Sequence, residues 1–335
     1  MKAIIAVAGV GSALRPHTHT QPKALVPVAG KAILSYIMDD LVAAGIRDFV
    51  LVIGYLGDKI EKYISEQYPG LSVTYVIQEP REGLGQAIWL TREHIKAEKE
   101  VLVVLGDTIV TLDLQTLLAS PYSMLGVKKV DTPGSFGIAE LDNQGMIKRL
   151  VEKPRIPKSN LALVGIYKIT NIAALLAALQ HIIENQVKTQ NEYHLTDALM
   201  KMIEDGAKMT TIEVTNWYDC GRKETLLEAN AILMNRAEFK RIDYEGFPGS
   251  IIIQPVSIGK NCTVVSSIVG PNVAVGDNTV IRSSVIRDSI IGSFSALENT
   301  LLNRSIIGND SSLRGMVQSL NIGDNTEINF SETKS

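Results

Sequence analysis

The chain has 335 residues, a formal net charge of -3, and 45% hydrophobic against 21% charged residues. This length exceeds one average domain, and the balance is that of a soluble globular protein. It has no basic excess to attract nucleic acid or an anionic membrane, and no apolar run long enough to span a bilayer. Cys220 and Cys262 stand far apart in sequence. That argues against a disulfide framework or a cysteine metal site and fits a reducing, cytoplasmic location.

Residues 3–7 read as a buried first strand. Lys2 ahead of this run faintly resembles a signal peptide, but a glycine loop and a Pro-Lys pair follow at once, which a strand explains better. Residues 33–44 have helical spacing and stop at Gly45. Residues 49–53 and 101–105 are continuous apolar runs, as in strands covered on both faces. Between them come a helix over 58–67, a strand over 73–77 and a helix over 86–95. The alternation predicts an α/β domain with a mostly parallel open sheet and helices on both faces, its ligand at the carboxyl ends of the strands.

After Leu118, strands over 122–127, 136–141, 147–151 and 161–169 follow without long helices. They would extend the sheet or lay an antiparallel layer over the site. Helices over 173–183 and 195–203, a strand over 209–214 and a helix over 222–238 close the domain, and residues 244–249 have linker composition. Beyond them aliphatic-Gly pairs recur, at Ile258-Gly259, Val269-Gly270, Val275-Gly276, Ile291-Gly292, Ile307-Gly308 and Ile322-Gly323. Repeats of hexapeptide length predict a β-solenoid with aliphatics inside and Gly or Asn at the corners. The division expected is 1–241 and 242–335.

Several residues carry possible chemistry. Gly9 and Gly11 follow the first strand and would expose backbone N–H groups to phosphate oxygens, with Arg15 and Lys23 adding positive charge. The pattern is neither Gly-x-x-x-x-Gly-Lys-Ser/Thr nor a dinucleotide fingerprint, which needs Gly where Leu14 stands. Asp107 ends a strand and Asp219 follows Trp217; carboxylates so placed are natural magnesium ligands, although either alone reads equally as a cap or turn residue. Gln78 offers a donor and an acceptor to a pyrimidine, and Gly83 would let the base lie against backbone. Lys153 could hold a second phosphate, and Glu152 could accept from sugar hydroxyls. Gly137 and Gly165 mark either a close approach to ligand or a β-bulge.

Taken together, these pieces resemble the sugar nucleotidyltransferase family, particularly its glucose-1-phosphate thymidylyl and uridylyl members. The family opening Gly-Gly-x-Gly-Thr-Arg-Leu-x-Pro stands here as Ala8-Gly9-Val10-Gly11-Ser12-Ala13-Leu14-Arg15-Pro16, followed by Pro22-Lys23 and Pro27-Val28-Ala29-Gly30-Lys31-Ala32. The base-binding segment corresponds to Gln78–Leu84, with Pro80 one place early. Gly106-Asp107, Glu152-Lys153-Pro154 and Trp217 to Gly221 complete the match over about the first 240 residues.

The resemblance implies in-line attack of a sugar-1-phosphate on the α-phosphate of dTTP or UTP, with pyrophosphate leaving and Mg2+ held by Asp107 and Asp219. It assigns Lys23 to the α-phosphate, Ala8, Gly9, Gly11, Ser12, Gln78 and Gly83 to the nucleotide, and Gly137, Glu152, Lys153 and Gly165 to the sugar phosphate. The tail would be a left-handed parallel β-helix, and the protein a homo-oligomer. One departure matters: the family's signature Arg is Ala13 here. Either the enzyme is slow, or Arg15 or another cation serves in its place, or the chain is a catalytically weak regulatory homologue that binds nucleotide-sugar without making it. The repeats read as scaffold rather than acetyltransferase, because the last histidine, His194, precedes them.

Overall fold

The computed structural model describes residues 1–236, 239 and 246–315. Four parallel strands form the heart of the first domain: Ser72–Ile77, Asp48–Ile53, Lys2–Ala6 and Glu100–Leu105, side by side in that order. Side chains alternate across them. Ile5, Leu51 and Leu102 pack on one face against Ile33, Leu41 and Leu226, while Ile4, Val50 and Val103 pack on the other against Ile88, Leu175 and Leu199. Both faces are therefore covered, which is why the central strands are apolar throughout.

The strands after Leu118 extend this sheet. Leu161–Thr170 runs antiparallel to Glu100–Leu105 and pairs in turn with Ser123–Lys129 and Ile138–Leu141. Among the described residues the sheet has nine strands.

Three local differences from the sequence reading stand out. The single helix expected over 86–95 is two, Leu84–Leu90 and Arg92–Ile95, parted at Thr91, whose hydroxyl donates to the Ile88 carbonyl. A helix, Leu114–Ala119, is capped by the Asp113 carboxylate, which accepts from Thr116 N. Thr108–Thr111 and Asn216–Asp219 form a separate antiparallel ribbon. The last helix of the domain is Lys223–Met234; residue 238, where it was expected to end, lies outside the described residues, as do the boundary at 241/242 and the first part of the linker.

From Ile251 the chain winds into three four-stranded parallel sheets, the β-helix expected from the repeats. Val264, Val269, Val275, Ile281, Ile286 and Ile291 fill its interior. Ser267, Ser284 and Thr300 each donate backbone N–H to the serine hydroxyl one coil earlier, so small polar residues stitch one edge.

Asparagine takes several of the left-handed corners, as expected: Asn261, Asn272, Asn278 and Asn299. Phe294 and Asp310 take others, and Gly270 is left-handed at φ 112°, while Gly276 serves stacking: a β-carbon there would sit 2.5 Å from Ser293 N in the next coil. The Ile322-Gly323 repeat lies outside the described residues.

Candidate active site

The order of the four parallel strands reverses between Lys2–Ala6 and Glu100–Leu105, the point at which open α/β sheets leave a crevice at their carboxyl ends. The two strand tips touch there: Gly106 donates its N–H to Ala6 O, and a β-carbon on Gly106 would fall 2.2 Å from Val7 Cγ1. The glycine loop and Asp107 thus open from the same spot. Ala8 is buried beneath the loop, whereas Gly9 and Ser12 are exposed, with nothing within 4 Å of a β-carbon built on Gly9. Gly11 adopts φ 67°, and its bare face rests on Thr18 and on Lys23, whose Cβ would be 3.0 Å from a β-carbon there. Any other residue at Gly11 would push on the lysine.

Lys23 begins the turn Lys23–Leu25 and places its ammonium on Asp107 Oδ2. Asp219 arrives from the ribbon, where it pairs with Thr108, while Cys220 N donates to Asp107 O. The same ammonium would lie 3.1 Å from a β-carbon on Gly221, and Asp219 Oδ1 2.7 Å from it. One lysine and two carboxylates therefore converge.

Their proximity bears on Asp219 and on the neighbouring Cys220. Burial first, and the Asp107 charge second, push the Asp219 carboxyl above its ordinary range, against the pull of Lys23. The buried Cys220 thiol is pushed up to about 12 by burial and by both carboxylates. Such crowding of negative charge suits a divalent cation. Among the described residues no three His, Cys, Asp or Glu side chains group to form a full protein cage; Asp107 and Asp219 are the carboxylates that could share an ion with substrate phosphate.

The other half of the site is already hydrogen-bonded. Gln78 is buried and donates from Nε2 to Gly83 O at 2.9 Å and to Gln86 Oε1 at 2.7 Å; Gln86 in turn donates to Pro80 O. The donors expected for a base are thus spent within the protein, leaving Oε1 to accept. Gly83, at φ 103°, is explained by the chain itself, since a β-carbon would meet Tyr193 O at 2.5 Å.

Glu152 directly follows the strand Ile147–Val151, and its Oε2 accepts from Thr196 Oγ1 at 2.8 Å. His194 Nδ1 lies 3.7 Å from Glu152 Oε1, and its Nε2 stands 3.0 Å from Thr189 O. Gly137 lets this carboxylate approach, because a β-carbon there would lie 2.8 Å from Oε2. Neither Thr196 nor His194 was expected at this site from the sequence; the signal is a polar pair at the opening of the helix Leu195–Glu204.

Lys153 has its backbone N–H on Phe136 O, and the Phe136 ring meets Trp217 edge-on at 4.8 Å, which links this strand to the Asp219 ribbon. Its ammonium forms no ion pair among the described residues. Gly165, at φ 89°, sits where pairing with Ser123–Lys129 shifts register, so the bulge alternative holds; Leu105 fills the space beside it. Arg15 is exposed; its backbone N–H donates to Ser12 O, and its guanidinium has no hydrogen-bond or ion-pair partner among the described residues. No helix of the described residues is long and apolar enough to cross a membrane.

The nucleotidyl transferase family model matches residues 2–236. A glucose-1-phosphate thymidylyltransferase of Streptomyces antibioticus is 32% identical over 88% of this chain and 82% of its own length. The low-salt glycan biosynthesis nucleotidyltransferase Agl11 of Haloferax volcanii is 33% identical over 72% of this chain and 68% of its own. The crystal structure of a putative glucose-1-phosphate thymidylyltransferase from Bacillus anthracis, complexed with sucrose, superposes with a TM-score of 0.60 at 28% identity, covering 73% of this chain and 98% of that one.

Proposed function

Since the chain belongs to the nucleotidyl transferase family, we propose that it joins glucose-1-phosphate, or a closely similar sugar-1-phosphate, to dTTP or UTP and releases pyrophosphate. The observation that carries this reading is the convergence of Lys23, Asp107 and Asp219 at the reversal of strand order. In-line transfer at an α-phosphate asks the protein for positioning and charge, not for a covalent intermediate.

Lys23 supplies the cation nearest the reacting phosphorus. Asp107 and Asp219 would hold Mg2+, which when bound neutralises phosphate charge. The exposed N–H groups of the Gly9–Gly11 loop bind the nucleotide phosphates beside Ala8 and Ser12. Gln78 Oε1 accepts the ring N–H of a pyrimidine at N3, a feature uracil and thymine share. Glu152, oriented by Thr196, accepts from sugar hydroxyls, and Lys153 meets the sugar phosphate. The division into a transferase domain over 1–241 and a β-helix over 242–335 belongs to the same reading, as does a cytoplasmic homo-oligomer.

Ala13 gives a second reading its footing. The position where the family has Arg lies exposed in the turn Ser12–Leu14 and contributes no charge, and Arg15 points to no protein partner. A regulatory homologue that binds nucleotide-sugar without making it would look the same. Incubation with dTTP or UTP, glucose-1-phosphate and Mg2+ separates the two: pyrophosphate release supports the enzyme, and nucleotide-sugar binding without release supports the regulator.

A further inference from the structure

We infer that the β-helix is the brace that holds the Lys23 turn in place, and that Asn230 is the positioning residue through which it does so; this rests on the role given to Lys23 above. Asn230 is wholly buried on the helix Lys223–Met234, among Leu226, Leu227, Leu233 and Met234. A leucine would suit such surroundings. An amide there must have both ends paired, and it does. Its Oδ1 accepts from Ala29 N at 2.8 Å, and its Nδ2 donates to Asn272 O at 3.0 Å.

These two partners belong to different domains. Ala29 lies in the hairpin of Pro27–Val28 and Lys31–Ala32, which directly follows the Lys23 turn. Asn272 lies in a corner of the β-helix. Ala29 adopts φ 46°, a left-handed conformation that an alanine resists, so the hairpin needs an outside partner to keep that shape.

Other contacts lock the same segment from the same side. Gly30 is pressed on the β-helix so closely that a β-carbon would lie 2.3 Å from Ser257 Oγ. Ahead of the turn, Gln21 donates to Leu25 O at 2.5 Å, and Asn309 of the β-helix donates to Gln21 Oε1 at 3.4 Å. Ile290 of the β-helix is buried in the core of the first domain. The lysine turn is thus gripped before and after by the second domain. Displacing a reacting group by about 1 Å can cost roughly 10²-fold in rate, so a brace of this kind acts on turnover more than on binding.

The test uses Asn230→Leu and Ser257→Val in the full chain, with Lys23→Ala measured beside them. Ser257→Val drives bulk into Gly30 from the β-helix and leaves Asn230 intact, so it decides alone if Asn230→Leu fails to fold. The expected result is a fall in kcat of about 10- to 100-fold, with the KM of both substrates within about threefold. Unchanged kcat in a folded variant, with only Tm lowered, overturns the inference and makes the bridge purely structural. Lys23→Ala separates the two failures. If it keeps wild-type turnover, the role of Lys23 is wrong; if it is inactive while both other variants turn over normally, only the brace is wrong.

Discussion

The two ends of the site are built on opposite principles. At the phosphate end, Asp107, Asp219 and Lys23 are crowded together, and the Asp219 carboxyl is held above its ordinary range by burial and by its neighbour's charge. At the base and sugar end, Gln78 and Glu152 already rest in hydrogen bonds to Gln86, Gly83 and Thr196. On the proposed reading, one end would keep its electrostatics unbalanced until ligand and metal bind, while the other is already hydrogen-bonded within the protein. On that reading the contrast separates chemistry from selectivity. Interactions completed only with the reacting phosphates raise kcat, whereas a preformed hydrogen-bonding surface sets which molecule binds.

Substitutions sharpen or break this contrast. The largest effect belongs to the phosphate end: Asp107→Asn and Lys23→Ala should each lower kcat by about 10²–10³, as loss of a transition-state electrostatic partner does. Steady-state pyrophosphate release measures it, and an intact kcat would erase the distinction between the ends. Gln86→Leu strips Gln78 of its orienting partner and should raise the KM for nucleoside triphosphate about tenfold with kcat held, since one hydrogen bond to a buried group is at stake. Thr196→Val should raise the KM for sugar-1-phosphate by about 3- to 10-fold and leave the nucleotide KM alone. The smallest effect tests the exposed loop: Arg15→Ala should change kcat by less than about twofold, because that side chain engages nothing in the protein. A large loss there would make Arg15 the substitute for the family Arg and move it to the phosphate end.

Much of this arrangement can be read from the residues. The runs at 49–53 and 101–105 are apolar on both faces because helices cover both sides of the sheet. The abrupt end of the second run in Gly106-Asp107 marks the crevice. The repeated Ile-Ile-Gly words of the β-helix are legible because each coil repeats one packing problem.

What escapes the eye is contact between distant short pieces. Thr108–Thr111 and Asn216–Asp219 are four-residue strands whose pairing brings Asp219 to Asp107, and neither has an apolar run to announce it. The hold of Thr196 on Glu152 is equally silent, since a threonine at a helix start looks like a capping residue. Gly83 was legible as a site of close approach, but the approaching group is Tyr193 O.

The central claim, that one lysine and two carboxylates gather around a nucleotide's phosphates, is tested most directly by titrating Mg2+ into pyrophosphate-release assays of the wild type and Asp219→Asn. The account predicts Mg2+-dependent turnover in the wild type and, in the variant, a far weaker apparent Mg2+ affinity with turnover reduced by about 10²-fold or more. Equal Mg2+ dependence and equal turnover in the two proteins would contradict it.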